Sequence, residues 1–191
     1  MEFEIKQLRL SVMNSYPNET FETETLFFRR ITVADAESEF EMFGDPEYTW
    51  FLGRTFSLEH IQKGIQNEID KKIFINGLGK WAIISKENNE TAGRCSLDKV
   101  KNKDETEISY FLKKRYWGRG IGTIAARIML TYGFEYLKLP LIIIRVHKQN
   151  IESINIALKL KMKFIGIIEY PDEDISPNVH SMSLEEYNVL Y

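Results

Sequence analysis

The segment 115-RYWGRGIGT-123 lies between a strand-like run and a helix-like run. Its glycines and arginines are Arg115, Gly118, Arg119, Gly120 and Gly122. The first N–H groups of a helix have no intrahelical partner, and the helix dipole places positive potential there. Glycines let an anion approach these groups, so the segment predicts a phosphate or pyrophosphate site. The alternative is a tight connection whose glycines only permit positive φ angles.

Two common nucleotide-binding motifs do not fit this spacing. A Walker A loop requires a lysine that neither Gly118 nor Gly120 places correctly. A dinucleotide-binding loop requires a third glycine where Thr123 stands, and an acidic residue at the end of the next strand, where the chain has Arg145 and Val146. The pattern that remains is R-x-x-G-x-G.

Hydrophobic periodicity predicts the elements that hold this segment. Thr32 and Asp35 form a capping-box pattern before one helix, and Ser57 precedes another. The strand 139–146 contains a continuous β-branched run, Ile142 to Ile144, which is typical of a strand buried on both faces. The predicted strands are 25–31, 79–85, 91–100, 105–112, 139–146, 164–170 and 179–187, and the predicted helices are 32–43, 57–72, 124–137 and 150–162.

Composition limits the class of protein. The 191 residues are 43% hydrophobic and 28% charged, with a net charge of −3. These values predict one soluble domain that does not bind nucleic acid. We expect residues 24–191 to form that domain and residues 1–23 to add an extension, with a strand in it.

The cysteine content and the apolar runs predict a location. Cys95 is the single cysteine, and the chain has no signal-peptide pattern and no apolar run long enough to cross a bilayer, so we expect a cytoplasmic protein without a membrane partner. His60, His147 and His180 lack metal-ligand spacing, and we expect no metal.

The quoted glycine segment and four further segments carry a family resemblance. These are TLFFRRIT with the following DA, WAIISKENNETAGRCSL, TEISYFL and NIESINIALKLKMKFIG. Over roughly residues 24–187 the chain resembles the GCN5-related N-acetyltransferases (GNAT), in particular the ribosomal-protein N-acetyltransferase (RimJ/RimL) branch. The resemblance implies an α+β fold with a mostly antiparallel seven-stranded sheet, two splayed parallel strands and about four helices.

The resemblance implies acetyl-coenzyme A as the acyl donor. Its pyrophosphate would lie on the glycine loop, and its pantetheine arm would pair with the strand before that loop. The implied cofactor-binding residues are Phe111, Leu112, Arg115, Trp117, Gly118, Arg119, Gly120, Ile121, Gly122, Thr123, Asn150 and Asn155. Asn150 also stands where a helix N-cap is expected. Lys161 replaces the glycine with which relatives end this helix, so we expect a different helix end here.

Candidate catalytic residues follow from acyl transfer to an amine, because a protonated amine must lose a proton before it attacks a thioester. The resemblance places a carboxylate at Glu107; the alternative is a solvated strand end. Asp172 or Glu173 in the acidic loop is the rival base, or that loop is only exposed. Ser153 is the nearest hydroxyl to assist the leaving thiolate, since Ala157 stands where many relatives have tyrosine. The alternative for Ser153 is a local helix-turn role.

The aromatic residues Tyr48, Trp50 and Phe51, with Asp45 and Glu47 beside them, could form a slot for a cationic amine. The alternative is that they only pack two helices on the sheet. The sequence therefore predicts an acetyltransferase, monomeric or homodimeric, that acts on a primary amine of a protein N-terminus or a small molecule. Two other functions stay open, a coenzyme-A-binding module with impaired catalysis and a phosphate-ligand-binding scaffold without acyl chemistry.

Overall fold

The structure is a computed structural model, and it describes residues 20–71, 76–101, 103–170 and 176–191. The chain divides into two compact units. The first consists of Met1–Ser96 and Tyr110–Ile121, and the second of Leu97–Ser109 and Gly122–Tyr191.

The described residues form eight strands with the hydrogen-bonded order β1-β2-β3-β4-β5-β6-β8-β7. They are β1 (Phe21–Glu22), β2 (Leu26–Arg30), β3 (Gly79–Ser85), β4 (Glu90–Lys99), β5 (Thr106–Leu112), β6 (Leu141–Val146), β7 (Lys163–Ile167) and β8 (Asn178–Ser183). β5 and β6 run parallel, whereas the pairs β1–β2, β2–β3, β6–β8 and β7–β8 are antiparallel. The mixed α+β class is confirmed, with eight strands where seven were expected.

The described ranges contain five α-helices, one more than expected. They are α1 (Ala36–Phe43), α2 (Leu58–Asp70), α3 (Ile121–Thr131), α4 (Ile151–Lys159) and α5 (Leu184–Leu190). The prediction of a strand over 179–187 is wrong beyond Ser183, where α5 begins. Ser183 Oγ accepts a hydrogen bond from Glu186 N–H at 3.2 Å, and Glu186 Oε2 accepts one from Ser183 N–H at 2.9 Å. This capping box makes a helix start more stable than a continued strand.

In the first unit, α1 and α2 pack together through a buried apolar cluster that includes Ile31, Met42, Phe43, Ile61 and Ile65. The predicted helix starts are confirmed. A 3₁₀ turn, Val33–Asp35, carries the capping box with Thr32 and leads directly into α1. Ser57 Oγ accepts the His60 N–H at 3.2 Å and caps α2.

In the second unit, β6 is buried between two neighbours. It pairs with β8 over six residue pairs, from Leu141↔Ser183 to Val146↔Asn178. Its parallel register with β5 covers only Thr106↔Ile142 and Glu107↔Ile143 among the described residues. Both strands continue past these two pairs.

The end of α4 differs from the expectation based on Lys161. Lys161 has φ +58° and lies in the left-handed region that a glycine would occupy. Its N–H donates to Leu158 O at 2.9 Å, and Met162 N–H donates to Ala157 O at 3.1 Å. This pair of hydrogen bonds is the Schellman ending, so the helix ends in the ordinary way despite a lysine.

The N-terminal extension stays a prediction. Most of it, residues 1–19, lies outside the described residues. Phe21 and Glu22 form the short strand β1, and Phe21 pairs with Phe28 of β2. Phe21 is 1% exposed and its ring lies 5.7 Å from that of Trp81.

A buried carboxylate connects β2 to the start of α1. Asp35 is 5% exposed and accepts hydrogen bonds from Arg29 Nη1 and Nη2, at 2.8 and 2.7 Å. The Thr32 N–H also donates to it, at 2.8 Å. Burial alone would raise the pKa of Asp35, but the Arg29 guanidinium and the Thr32 N–H outweigh it and hold the pKa below its usual value.

We therefore expect Asp35→Asn to lower the free energy of unfolding by about 2 kcal/mol at pH 7, discounted for the partial exposure of Arg29. Because the folded-state pKa is lowered, this contribution is present above the unfolded pKa near ~3.9 and is lost as pH falls through the folded value. The difference between the two proteins should therefore shrink below about pH 4. Urea unfolding from pH 3 to 7 measures it. Glu37→Gln, exposed on the same helix, is the matched control, and a pH-independent difference for Asp35→Asn would contradict the assignment.

Candidate active site

The glycine turn places two left-handed residues directly before α3. Gly118 has φ +72° and Gly120 has φ +79°, so the backbone itself requires glycine at both. A Cβ built at either position would meet no heavy atom within 4 Å. The turn is thus open on that side, and the first N–H groups of α3, from Ile121, Gly122 and Thr123, lack intrahelical acceptors by helix geometry. The positive φ angles also fit the purely structural alternative.

The two arginines of the turn are held by carboxylates of the first unit. Arg115 donates from Nη1 to Glu41 Oε2 and from Nη2 to Glu90 Oε2, both at 3.2 Å. Arg119 forms an ion pair with Glu87 at 3.5 Å. Their positive charge is therefore shared with acidic side chains and does not act on the turn alone.

Sequence reasoning missed two cations that precede Arg115. Lys113 is 6% exposed and its Nζ lies 2.9 Å from Glu41 Oε1. Lys114 Nζ lies 2.8 Å from Asp45 Oδ2 and 3.2 Å from Glu47 Oε2. The sequence does contain a signal for these cations, because three basic residues, KKR, directly follow a predicted strand.

These charges line an open cleft of about 290 Å³ in the first unit. Its lining residues are Glu41, Met42, Asp45, Tyr48, Lys113, Lys114 and Arg115. Partial burial would raise the pKa of Glu41, but hydrogen bonds from Lys113 and Arg115 outweigh it and hold the pKa below its usual value. The cleft therefore combines charges of both signs, already paired.

The end of β5 is engaged by two aromatic side chains. Trp117 Nε1 donates to Leu112 O at 2.8 Å, and the Tyr48 hydroxyl hydrogen-bonds the backbone of Leu112. The two rings lie 5.9 Å apart, and Trp117 is 56% exposed. Burial raises the pKa of Tyr48 well above its usual value, so its hydroxyl stays neutral.

Two of the three aromatic residues predicted to form the acceptor slot, Tyr48 and Phe51, pack at the end of β5. Phe51 stacks on Phe111 of β5, with ring centroids 6.4 Å apart and planes at 13°. Tyr48 is buried and lies edge-on to Phe43 at 6.1 Å. Trp50 is 49% exposed and contacts the Phe51 ring at 5.8 Å. Tyr48 and Phe51 therefore pack at the end of β5, whereas Trp50 is about half exposed.

A further residue that sequence reasoning missed is Gly93 of β4. A Cβ there would lie 2.1 Å from Phe111 O and 2.8 Å from Leu112 Cα. The chain crosses close to β5 at this point, and Lys113 N–H donates to Ala92 O at 2.9 Å beside it. An isolated glycine inside a predicted strand is the usual signal of such a close approach.

In the second unit, Glu107 is partly buried and forms an ion pair. Arg145 Nη2 lies 2.7 Å from Glu107 Oε2, and the two side chains are 17% and 15% exposed. The guanidinium also lies over the Tyr170 ring, 4.4 Å from its centroid. Glu107 is therefore not the solvated strand end that the sequence left open.

Asn150 caps α4, because its Oδ1 accepts the Ser153 N–H at 3.1 Å. Ser153 is half-buried, Asn155 is exposed and Ala157 is fully buried. The rival bases Asp172 and Glu173 lie outside the described residues.

The described part of the chain shows no group of three or more His, Cys, Asp or Glu side chains that could hold a metal. Burial raises the pKa of the Cys95 thiol well above its usual value, so Cys95 is not an activated thiolate.

Comparisons with known proteins agree with this geometry. The family described as "Acetyltransferase (GNAT) domain" matches residues 25–163. The uncharacterized N-acetyltransferase p20 of Bacillus licheniformis is 28% identical over 152 residues, which cover 78% of this chain and 85% of that protein. A GNAT-family acetyltransferase from Bacillus anthracis has the same fold, with a TM-score of 0.73 at 22% identity over 87% of this chain and 99% of that one.

A further similar structure is RimL, the ribosomal L7/L12 α-N-protein acetyltransferase, in complex with coenzyme A. Its TM-score is 0.68 at 18% identity, covering 86% of this chain and 97% of that one. The family match spans most of the chain, and the chain therefore belongs to the GNAT acetyltransferase family and is an acyltransferase. Each helix in the described ranges is too short or too polar to span a membrane.

The close approach of Gly93 to the end of β5 can be tested by its effect on the free energy of unfolding. Gly93→Ala should lower the free energy of unfolding by about 3 kcal/mol, because a backbone atom cannot move aside as a side chain does. Gly64→Ala is the matched control. Gly64 lies within α2 with nothing within 4 Å of a built Cβ, and its replacement should stabilise the protein by about 0.5–1 kcal/mol. Urea unfolding of both variants measures the difference, and equal effects would contradict the close approach.

Proposed function

We propose that this protein transfers an acetyl group from acetyl-coenzyme A directly to a primary amine, on a protein N-terminus or a small molecule. One observation carries the proposal: Gly118 and Gly120 turn the chain into α3 in left-handed conformations, with open space where their side chains would be. An open turn with glycine at both left-handed positions, directly before the N–H groups of a helix, fits a pyrophosphate. The family membership supports the acyl chemistry.

The donor would be held along the turn and the strand before it. The N–H groups of residues 118–123 would face the pyrophosphate, with Arg115 and Arg119 adding charge. The pantetheine arm would pair with the backbone near Phe111 and Leu112. Because Trp117 and Tyr48 already hydrogen-bond Leu112, the arm must share or replace these bonds. Asn150 Nδ2 remains available as a donor while Oδ1 caps α4.

In the reaction, the amine nitrogen attacks the thioester carbonyl carbon, a C–N bond forms and the C–S bond breaks. The sulfur leaves as a thiolate, and the amine proton passes to a base or to water. An amine with a pKa near ~10.4 is protonated at neutral pH, so this transfer is required before attack. Glu107 is the base that we propose: Arg145 Nη2 lies 2.7 Å from its Oε2, and this contact holds the carboxylate in a fixed position.

The leaving thiolate needs little assistance. A thiol with a pKa near ~8.5 gives a tolerable leaving group, and one donated hydrogen bond is enough to help it. Ala157 cannot donate one, and Ser153 is the hydroxyl that we propose for this role. Its N–H is engaged by Asn150, which fixes the first turn of α4 and so the position of the serine.

The acceptor would enter over Tyr48 and Phe51. The acidic rim formed by Asp45 and Glu47 attracts a cationic amine less than the sequence suggests, because Lys114 lies within 3.2 Å of both carboxylates. Aromatic contact would therefore select the acceptor more than net charge does. The buried thiol of Cys95 fits a reaction in a reducing cytoplasm.

Incubation with acetyl-coenzyme A and a library of amines and N-terminal peptides tests the proposal. Free thiol should appear with at least one acceptor, and mass spectrometry should find the acetylated product. Tight binding of acetyl-coenzyme A without thiol release from any acceptor would instead indicate a coenzyme-A-binding module. Equal binding of plain nucleotides would indicate a phosphate scaffold.

The assignment of Glu107 predicts the effect of Glu107→Gln. The turnover number should fall by about 10²-fold at pH 7 with a high-pKa amine and recover partly at alkaline pH, where the free amine needs no base. Glu105→Gln, two residues earlier, is the matched control and should keep wild-type turnover. Because Arg145 loses its partly buried partner, circular dichroism must confirm that each variant is folded. An unchanged pH profile in folded Glu107→Gln would assign the base to Asp172 or to solvent.

The two roles of Asn150 can be separated. Asn150→Asp and Asn150→Ser both keep an N-cap acceptor, so stability should change by less than about 0.5 kcal/mol. Both remove the Nδ2 donor, so the Kd for acetyl-coenzyme A should rise about tenfold if the amide binds pantetheine. Calorimetry on the folded variants measures it. Wild-type affinity in both would leave capping as the only role of Asn150.

A further inference from the structure

The slot proposed for the acceptor, in the first unit, is made of aromatic rings in contact. Neighbouring ring centroids lie 5.0 to 6.4 Å apart along the series Tyr48, Phe43, Phe111, Phe51 and Trp50. Tyr48 and Phe43 are buried, whereas Phe51 and Phe111 are half-buried and Trp50 is 49% exposed. The accessible part of the series is therefore apolar surface, and covering it with an apolar ligand group would be favourable.

The Phe111 ring already carries a cation of the protein. The guanidinium carbon of Arg94 lies 4.9 Å from the Phe111 centroid and 4.8 Å from that of Phe43. Arg94 Nε lies 3.2 Å from Oε1 of Glu39, which is 6% exposed, so an ion pair fixes the guanidinium. An aromatic ring attracts a cation to its face. A ligand ammonium at Phe111 would meet positive charge that is already in place.

The carboxylates beside Tyr48 are also paired. Lys114 Nζ lies 2.8 Å from Asp45 Oδ2 and 3.2 Å from Glu47 Oε2. Asp45 is fixed further, because its Oδ1 accepts the Glu47 N–H at 2.8 Å. A ligand ammonium could reach these carboxylates only by displacing the ammonium group of Lys114.

Displacement of Lys114 by a ligand ammonium brings little gain. The two groups have the same charge and the same donors, so the new contacts replace equivalent old ones. Lys114 is also tethered to the chain, and a group on a short flexible tether acts at an effective concentration on the order of millimolar. A second positive charge on the acceptor is therefore poorly rewarded at this site.

We propose that the acceptor is a primary amine attached to an apolar group, and that amines with a second ammonium, such as polyamines, are poor substrates. This inference rests on the proposed acetyl transfer and narrows its acceptor. The apolar group would lie on Trp50, Phe51 and Phe111. The shared chemistry fits a small apolar amine and a protein N-terminus that is followed by an apolar side chain.

Thiol release with two amines of equal length tests the proposal. Hexylamine ends in a methyl group, whereas hexamethylenediamine ends in a second ammonium. The kcat/KM for hexylamine should be higher by at least about tenfold, the range in which apolar pockets discriminate. Peptides whose second residue is leucine or lysine give the same comparison for protein N-termini.

A charge variant tests the role of Lys114. Lys114→Gln leaves Asp45 and Glu47 without their ammonium, so it should narrow the preference for hexylamine by about threefold, the worth of an exposed ion pair. Lys63→Gln is the matched control, since Lys63 and Glu59 form an exposed pair at 2.7 Å on α2, and it should keep the wild-type preference. Because both amines use the same donor, their ratio does not depend on the affinity for acetyl-coenzyme A.

A second variant tests the apolar surface. Trp50→Ala should lower kcat/KM for hexylamine by about fivefold, because the alkyl chain loses an aromatic contact. Trp50→Phe keeps an aromatic ring and should restore most of this loss. Melting temperatures check that each variant is folded.

The outcomes separate this inference from the acetyl transfer on which it rests. Equal or higher kcat/KM for hexamethylenediamine overturns the inference and leaves acetyl transfer standing. An unchanged preference in both folded Lys114→Gln and folded Trp50→Ala also overturns it, because selectivity would then arise elsewhere. If no amine or peptide releases thiol, acetyl transfer itself fails. Calorimetry of the two amines on the protein saturated with coenzyme A then decides: hexylamine should bind at least about tenfold more tightly, and equal Kd values, or no binding, overturn the inference.

Discussion

The turn from β5 into α3 depends on two backbone conformations that only glycine adopts at low cost. Gly118 and Gly120 have positive φ angles separated by a single residue. A non-glycine residue at each would cost on the order of 1–2 kcal/mol. This cost is small beside folding, but the turn also sets where the first N–H groups of α3 point. The same two residues therefore fix the geometry of the chain and leave uncovered the side of the turn to which their side chains would point.

The cations around this turn have two possible sets of partners. Lys113, Lys114 and Arg115 are all paired with carboxylates from α1 and the segment after it, or with Glu90. A pyrophosphate would compete with these carboxylates for the same side chains. Exposed ion pairs contribute little stability. Lys114 and Arg115 could therefore exchange their carboxylate partners for a phosphate with little loss of free energy. Lys113 is 6% exposed, and a buried ammonium cannot give up its partner without replacement. Glu41 therefore has a structural role that the neighbouring acids lack.

The sequence predicted most of the fold because the deciding signals were local. Three of these signals act within a few residues of the element that they predict. They are the caps at Thr32–Asp35 and at Ser57, which start helices, and the β-branched run of β6, which forms a strand. Two features of the fold were predicted wrongly, and each has a physical reason. The Ser183–Glu186 capping box was local but hidden in a pattern that also alternates like a strand. The left-handed Lys161 was not predictable from propensity, because the hydrogen bonds of the helix end outweigh the strain of one residue.

The candidate site was harder to predict because its charged side chains form ion pairs with residues that are far away in sequence. Lys113 and Glu41 are 72 residues apart and Arg145 and Glu107 are 38 apart, so no local pattern shows that either carboxylate is paired. Pairing changes what each residue can do. An unpaired strand-end glutamate would be a solvated charge, whereas Glu107 is held by a guanidinium that is itself fixed over Tyr170. A carboxylate in a fixed position loses little entropy when it accepts a proton from a bound amine, and positioning of this kind supplies much of the rate in direct transfer. In the reaction that we propose, residue 157 is an alanine where a tyrosine could donate a proton. The proposed chemistry would therefore depend on this fixed carboxylate and on the placement of the thioester.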